Sequence, residues 1–128
     1  MINRAYIIDD DDISVFLTSM MLESHLFART IESYVNVEDA LYQLQHIPDE
    51  NLPDVILLDL NMPVLNGWDF LETISQQESR FLGRCHVFIL TSSVDPLEKQ
   101  QATQYKLVNG FLRKPLDESS LAFITKAV

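Results

Sequence analysis

The sequence predicts an α/β fold, an open, doubly wound parallel sheet of five strands with helices on both faces. Three observations lead to this class. Short apolar runs of strand length recur along the 128 residues, segments with helical periodicity separate them, and the strand–helix order repeats five times. Strands that are apolar throughout are typical of a parallel sheet buried on both faces, and strand–helix–strand repeats form right-handed crossovers.

The predicted strands differ in how clearly the sequence marks them. Three are continuously apolar and two are weaker: Ala5 to Ile8, Val55 to Leu58 and Val87 to Leu90, then Thr30 to Tyr34 and Gly110 to Leu112. A short apolar run between polar boundaries favours a buried strand over a helix, which needs about ten residues. We see no linker or internal repeat, so we expect one domain over residues 1–128.

Helical periodicity predicts four amphipathic helices and one polar helix. The third helix is expected to begin near Gly67 and the last near Asp117. The apolar stripes of the amphipathic helices are Ile13, Phe16, Leu17, Met20 and Met21; Val37, Ala40, Leu41, Leu44 and Ile47; Phe70, Leu71 and Ile74; and Leu121, Ile124 and Val128. The fourth helix, predicted from Pro96 to Tyr105, is polar nearly all round, so it should bury little and be held least firmly.

Composition and charge exclude several classes of protein. A formal net charge of −10, with only nine Lys and Arg residues, argues against a nucleic-acid partner. The N-terminus lacks the apolar segment of a signal peptide, and no apolar run approaches the length of a membrane span. We therefore expect a soluble, cytoplasmic protein without a membrane partner. The single cysteine, Cys85, has no Cys or His neighbours at metal-ligand spacing and is interpreted as a packing or loop residue.

Carboxylates gather at the predicted ends of two strands. Asp9, Asp10, Asp11 and Asp12 follow the first strand, and Asp59 follows the third. Ligands of doubly wound sheets bind at the carboxyl ends of the strands, so these side chains are expected at one edge. Capping of the next helix accounts for Asp11 and Asp12. Because capping needs one carboxylate, it leaves Asp9 and Asp10 for another task.

The clustered carboxylates predict a cation and a phosphate. They repel one another and raise one another's pKa unless a positive group lies between them. Mg²⁺ binds carboxylate and carbonyl oxygens and completes its shell with water and phosphate oxygens. Two other strand ends supply groups that phosphate requires, since Thr91 offers a hydroxyl and Lys114 a cation. Phosphoryl transfer relies mostly on positioning and electrostatics, and Asp59 is the candidate nucleophile.

With these residues identified, the chain resembles a receiver domain of the two-component response regulators, of the stand-alone, chemotaxis-regulator-like kind, over essentially its whole length. The resemblance rests on four segments: Ile7-Ile8-Asp9-Asp10-Asp11; Leu57-Leu58-Asp59-Leu60-Asn61-Met62-Pro63 with Asn66-Gly67; Leu90-Thr91-Ser92; and Phe111-Leu112-Arg113-Lys114-Pro115. It implies a flavodoxin-like three-layer sandwich with strand order 2-1-3-4-5. It also implies a protein that assists its own phosphorylation and turns over no external substrate.

The resemblance implies a metal site and a phosphoryl donor. Asp59 is then the phosphoacceptor, and Mg²⁺ or Mn²⁺ is bound by Asp10, Asp59 and the backbone carbonyl of Asn61. Asp9 is expected to act through a metal-bound water. The donor would be a phosphohistidine on a sensor histidine kinase or on a histidine phosphotransfer protein. The sequence names neither this donor nor the downstream protein that receives the signal.

The resemblance also implies how the signal leaves the site. Thr91 is expected to hydrogen-bond the phosphoryl oxygens and Lys114 to pair with them, with a cis bond before Pro115. Phe111 matches the family's aromatic switch position and should fill the space that Thr91 vacates, unless it is a plain core aromatic. The output face would consist of the fourth predicted helix, the fifth strand and the fifth predicted helix. Ser92, where many members carry Ala or Gly, leaves the dephosphorylation rate open.

Three other functions remain as alternatives. A haloacid-dehalogenase-type phosphatase also uses a strand-end aspartate with Mg²⁺, but it requires a second acid where this chain has Asn61. A nucleotide- or flavin-binding module needs a glycine- and hydroxyl-rich loop after the first strand, where four aspartates stand. A phosphorylation-independent interaction module would not need the acceptor, the hydroxyl and the lysine together. No function is predicted for the segment from Glu78 to Cys85.

Overall fold

The computed structural model describes residues 1–92 and 94–128. Within these ranges the chain forms a five-stranded sheet and six α-helices. In chain order they are β1 (Ile2–Ile8), α1 (Asp12–Ser24), β2 (Ala28–Tyr34), α2 (Val37–His46), β3 (Val55–Leu58), α3 (Gly67–Ser75), α4 (Glu78–Phe81), β4 (His86–Thr91), α5 (Pro96–Ala102), β5 (Val108–Arg113) and α6 (Glu118–Ala127). A single 3-10 turn at Asp49–Asn51 precedes β3.

The sheet has the predicted class and order. All four neighbouring pairs are parallel, and the strands lie in the order β2-β1-β3-β4-β5. Every residue of β3 is buried, and successive residues face opposite cores: Val55 and Leu57 belong to one cluster, Ile56 and Leu58 to the other. This burial on both faces is the reason that the strand is apolar throughout.

The helices cover both faces of the sheet and complete the three-layer sandwich. Buried side chains of α2, α3, α4 and α5 belong to the core on one face, whereas those of α1 and α6 belong to the core on the other. The predicted inward faces of α2 and α3 are confirmed, since Ala40, Leu44, Phe70, Leu71 and Ile74 are all buried. In α6, Leu121 and Ile124 are buried, but Val128 lies beyond the helix and is 42% exposed.

The predicted inward face of α1 is wrong for most of its stripe. Ile13, Phe16, Leu17 and Met20 are each at least half exposed. The helix instead buries Thr18 and Leu22, with Val15 and Met21 partly buried against the same core. Apolar residues occupy two faces of this helix, so periodicity alone does not indicate which of them meets the sheet. The structure therefore leaves an apolar stripe of four side chains on the surface, which we call the α1 stripe.

The segment from Glu78 to Cys85, for which the sequence predicted no function, contains the short helix α4 and Arg80, whose guanidinium makes several hydrogen bonds. The Arg80 guanidinium donates to the backbone carbonyls of Leu44 (2.7 Å) and Ile47 (3.0 Å) and to the Asp49 carboxylate (2.8 Å). Carbonyls at the end of a helix lack intrahelical partners, so Arg80 satisfies this end of α2. The connection between α3 and β4 is thereby fastened to a neighbouring helix.

The polar helix α5 is shorter than predicted and buries little. It ends at Ala102, its single buried residue, and Leu97 is 75% exposed. The prediction that this helix buries little is therefore confirmed, and its being the least firmly held helix stays a prediction. Cys85 is buried, and burial raises the pKa of its thiol to about 12, as expected for a packing residue. Among the described residues, we find no helix that is both long and apolar enough to cross a bilayer.

Candidate functional site

The parallel sheet brings the ends of its central strands together. Ile8 of β1 pairs with Leu58 of β3, so Asp9 and Asp59 follow neighbouring positions. The Asp59 amide donates to the Ile8 carbonyl at 2.9 Å, and the Asp9 amide donates to the Tyr34 carbonyl at 3.0 Å. Both backbones are thus held by the sheet beyond the last paired residues. Two carboxylates are fixed at one edge without dependence on a flexible loop.

Three carboxylates converge at this edge. Oxygens of Asp9, Asp10 and Asp59 all lie within 4.8 Å of one another. Asp9 is 3% exposed and Asp59 is 8% exposed, whereas Asp10 is exposed to solvent. Two of the three charges are therefore poorly hydrated. Carboxylates at this separation and burial repel one another strongly unless positive charge compensates them.

The other two aspartates of the cluster cap α1, as predicted. The Asp11 carboxylate accepts from the backbone amides of Ile13 (3.0 Å) and Ser14 (3.4 Å), and Asp12 is the first residue of the helix. The cap also fixes the loop before the helix, because the Asp11 amide donates to the Asp9 carboxylate at 3.0 Å. Capping thus accounts for Asp11 and Asp12, while one oxygen of Asp9 is oriented by the same turn.

Lys114 supplies the compensating charge within the protein. Its ammonium lies 2.7 Å from Asp9 Oδ2 and 3.7 Å from Asp59 Oδ2. The sequence placed Lys114 at this edge but did not reveal that its shortest contact is with Asp9. One ammonium faces three carboxylates, so the cluster retains negative charge. The hydrogen bond to Asp9 holds the lysine side chain beside Asp59.

The surroundings of Asp59 favour its protonated form. Burial is the largest cause, the Lys114 ammonium opposes it, and the Asp9 carboxylate adds to it, so that the pKa of Asp59 is raised to about 6. A carboxylate with a raised pKa at a ligand-binding edge is a candidate for chemistry, because such a site stabilises the charged form only when a positive ligand arrives. Asp59, the nucleophile predicted from the sequence, is thus buried, and its charged form is disfavoured by burial and by the neighbouring Asp9 carboxylate.

Thr91 and Lys114 lie side by side at the ends of β4 and β5. Thr91 is the last residue of β4 and is 1% exposed, and its carbonyl accepts from the Lys114 amide at 2.7 Å. The peptide bond between Lys114 and Pro115 is cis, as the family resemblance implied. All four strand ends named in the sequence analysis therefore meet at one edge. Phe111 of β5 pairs with Ile89 of β4 and is half buried against the core on the α3 side.

Gly67, the first residue of α3, has a role that the sequence analysis missed. A Cβ atom on Gly67 would lie 2.6 Å from the Asp59 carbonyl oxygen and 2.8 Å from the Leu60 Cα. The Gly67 amide also donates to the Leu60 carbonyl at 3.0 Å. The first turn of α3 therefore lies directly against the backbone of Asp59, where only glycine fits. A glycine in the first turn of a predicted helix was the available signal. Asn61, in the loop between β3 and α3, is exposed.

The residues present fit a divalent cation. Three carboxylate oxygens within one coordination sphere form the hard-oxygen donor set that Mg²⁺ or Mn²⁺ prefers, and Asp10 leaves one side open to solvent. Among the described residues, Asp9, Asp10 and Asp59 form the single group of three or more acidic, His or Cys side chains arranged in this way. The donor set thus agrees with the sequence-based expectation of a cation at this edge.

Comparison with known proteins agrees with the geometry of the site. Residues 5–126 match the family model of the response regulator receiver domain. The chain is 22% identical over 127 residues to a hybrid signal transduction histidine kinase L of Dictyostelium discoideum. That match covers 98% of this chain and 7% of the much longer relative.

Solved structures share the fold over nearly the whole chain. A two-component response regulator from Cytophaga hutchinsonii is 28% identical with a TM-score of 0.90, and the match covers 98% of this chain and 96% of that one. A response regulator receiver protein from Dyadobacter fermentans is 27% identical with a TM-score of 0.84, covering 96% and 94%. The Vibrio cholerae chemotaxis protein CheY4 is 24% identical, with a TM-score of 0.80 and coverage of 100% and 99%, and supports the fold.

Proposed function

Because this chain belongs to the response regulator receiver domain family, we propose that it accepts a phosphoryl group on Asp59 and relays that event as a change in conformation. One observation carries the proposal. The Asp59 carboxylate is buried beside Asp9 at the ligand-binding edge and lies 3.7 Å from the Lys114 ammonium. A carboxylate nucleophile, a fixed cation and a second metal-binding carboxylate are the groups that phosphoryl transfer to an aspartate requires.

In the proposed transfer, an Asp59 oxygen attacks the phosphorus of a phosphohistidine. The new P–O bond forms as the P–N bond breaks, and the leaving imidazole nitrogen keeps the electron pair and takes a proton from water. Lys114 pairs with a phosphoryl oxygen, and Thr91 donates its hydroxyl to another. These fixed groups stabilise the charge on the transferring group, so positioning supplies most of the catalysis.

A divalent cation, Mg²⁺ or Mn²⁺, would be held by Asp10, Asp59 and the Asn61 carbonyl, with Asp9 acting through water. When bound, it would neutralise the carboxylates and the phosphoryl oxygens. Lys114 has a double task in this proposal, because it neutralises Asp9 in the protein alone and is at hand for the phosphoryl group. The same residues argue against steady turnover of an external phosphate ester, since Asn61 offers no acid to protonate a leaving group.

We further propose that the phosphohistidine donor, a sensor histidine kinase or a histidine phosphotransfer protein, docks on the α1 stripe. Ile13 and Leu17 of that stripe line a groove of about 310 Å³ together with Lys114 and Pro115, so the exposed apolar surface is continuous with the site. A protein that delivers a phosphoryl group to the buried Asp59 must lie over the surface around this groove. The exposed apolar side chains supply the binding energy that such contact needs.

The output of the proposed switch is a different surface. Thr91 and Phe111 lie on neighbouring strands, so movement of Thr91 toward a phosphoryl group would change the space beside Phe111. The weakly buried α5 then adjusts, together with β5 and α6, and a downstream protein of unknown identity reads the change. Such a switch is a shift between two populations, limited by the difference in contacts between the two states.

The test of the proposed function is labelling with acetyl phosphate. The protein is incubated with acetyl phosphate and Mg²⁺, and its intact mass is measured. We expect a gain of one phosphoryl group, lost when the cation is chelated and in Asp59→Asn. The matched control is Asp39→Asn, which alters an exposed aspartate in the first turn of α2 and should leave labelling unchanged.

Two outcomes would contradict the proposal. Absence of labelling in the unaltered protein favours a phosphorylation-independent interaction module. Many turnovers of a generic phosphomonoester, such as p-nitrophenyl phosphate, indicate a phosphatase instead.

A further inference from the structure

Outside the site, a side-chain contact joins α3 to the connection between α5 and β5, residues 103–107. The Tyr105 hydroxyl donates to the Glu72 carboxylate of α3 at 3.0 Å, across 33 positions of sequence. The Tyr105 ring also lies 6.3 Å from the ring of Trp68, one turn earlier on α3, at an interplanar angle of 32°. One tyrosine thus contacts two positions along the same face of a helix. We call the hydrogen-bonded pair the Tyr105–Glu72 latch.

The latch joins a well-anchored element to a poorly anchored one. The helix α3 is seated on the acceptor residue, because Gly67 leaves no space between the helix and the Asp59 carbonyl. The helix α5 buries Ala102 alone. Its end is tied to the connection by the Tyr105 amide, which donates to the Ala102 carbonyl at 3.1 Å. The position of Tyr105 therefore determines how the end of α5 sits relative to the site.

The latch also leads directly into β5. The Val108 amide donates to the Tyr105 carbonyl at 3.1 Å, so the tyrosine closes the turn before the strand that carries Phe111 and ends next to Lys114. Burial and the bond to the Glu72 carboxylate raise the pKa of Tyr105, so its hydroxyl remains protonated and acts as the donor. A hydrogen bond to a charged acceptor is stronger than one between neutral groups.

We propose that the Tyr105–Glu72 latch is a positioning device that holds the connection between α5 and β5 on α3 in the unphosphorylated protein, and that it opens when α5 changes position. Loss of this hydrogen bond lowers the free energy needed to reach the conformation in which α5 has moved. Because the proposed latch forms in one conformation only, a substitution that removes it favours the other conformation and tightens the binding of a phosphoryl mimic, by at most the factor by which the equilibrium between the two conformations shifts. This linked effect rests on the proposed function, whereas the restraint on α5 does not.

The first measurement is amide hydrogen exchange of the unphosphorylated protein. Tyr105→Phe keeps the ring beside Trp68 and removes the hydroxyl. We expect exchange of the peptide covering residues 96–107 to become roughly two- to tenfold faster, the range set by the net loss of one ordinary hydrogen bond, because the bond to Glu72 is exposed to solvent. The matched control is Tyr42→Phe, which alters a 63% exposed tyrosine on α2 that stacks on His46. Unchanged exchange in Tyr105→Phe would overturn the proposal.

The second measurement separates a latch from a merely structural contact. Beryllofluoride with Mg²⁺ is titrated into the protein, and the fluorescence of Trp68, the only tryptophan, reports binding. We expect a dissociation constant two- to tenfold lower in Tyr105→Phe and in Glu72→Ala, with no further decrease in the double variant. An unchanged or raised constant would contradict a state-specific latch. If the unaltered protein does not bind beryllofluoride, the proposed function fails, and the exchange experiment still decides whether the latch exists.

Discussion

The two helices that follow β3 and β4 are held in very different ways. The helix α3 buries Gly67, Phe70, Leu71 and Ile74 and begins with a capping box between Asn66 and Asp69. The helix α5 buries one alanine, although the Asp95 side chain caps it by accepting from the Leu97 amide. Caps determine where a helix begins, whereas buried apolar area determines how firmly it is held. Asp59, the proposed acceptor, therefore lies against a firmly held helix, whereas the helix that we expect to move is weakly held.

The largest expected difference comes from one substitution made in both helices. Leu71→Ala in α3 removes a fully buried side chain and should lower the free energy of unfolding by about 2–5 kcal/mol. Leu97→Ala in α5 removes a side chain that is 75% exposed and should change it by less than about 0.5 kcal/mol. Urea unfolding followed by circular dichroism measures both. Similar losses in the two variants would show that α5 is packed as firmly as α3.

The close contact between the first turn of α3 and the backbone of Asp59, the proposed acceptor, should be nearly as sensitive to substitution. Gly67→Ala places a Cβ within 3 Å of two backbone atoms of the Asp59–Leu60 segment, so helix or loop must shift, at a cost of about 1–3 kcal/mol. Binding of Mn²⁺, measured by isothermal titration calorimetry, should weaken as well, because the acceptor moves with its backbone. Ala102→Gly, in α5, serves as the comparison and should leave Mn²⁺ binding intact.

The charge of Asp59 should destabilise the protein when no divalent cation is present. The pKa of Asp59 is raised from 3.8 to about 6, so between these values the folded state keeps a proton that the unfolded state has lost. The contribution of Asp59 to stability therefore falls as pH rises through this window. In the presence of a chelator, Asp59→Asn should raise the free energy of unfolding by about 1–2 kcal/mol at pH 7 and by little at pH 3.5. A destabilised variant at pH 7 would contradict the electrostatic origin of this strain.

The smallest expected effect concerns the α1 stripe. Phe16→Ser removes a ring that is 63% exposed, so the free energy of unfolding should change by less than about 0.5 kcal/mol and labelling by acetyl phosphate should not change. Leu22→Ala, on the buried face of the same helix, should cost about 2–5 kcal/mol. Loss of labelling in Phe16→Ser would mean that the α1 stripe is needed for the chemistry at Asp59 itself and is not only a docking surface for the donor.

The parts of this molecule that the sequence predicted are those in which one pattern has one physical cause. The strand Val55–Leu58 is apolar throughout because both faces are buried, and the site residues follow strand ends because parallel strands share an edge. The face of α1 was not predictable, since two stripes compete there. The contacts of Lys114 with Asp9 and of Tyr105 with Glu72 join residues 105 and 33 positions apart, and nothing local in the sequence marks such pairs.

The identity of the phosphorylated residue is the most direct test of the proposed function. After incubation with acetyl phosphate and Mg²⁺, the protein is denatured and treated with sodium borohydride, which reduces an aspartyl phosphate to homoserine. Peptide mass spectrometry then locates the homoserine. We expect it at position 59 and at no other aspartate. Asp10 is exposed, and Asp9 is engaged by the Lys114 ammonium at 2.7 Å and by the Asp11 amide at 3.0 Å, whereas Asp59 is buried and lies 3.7 Å from that ammonium. Homoserine at position 9 or 10, with Asp59 unchanged, would contradict the assignment of Asp59 as the phosphoacceptor.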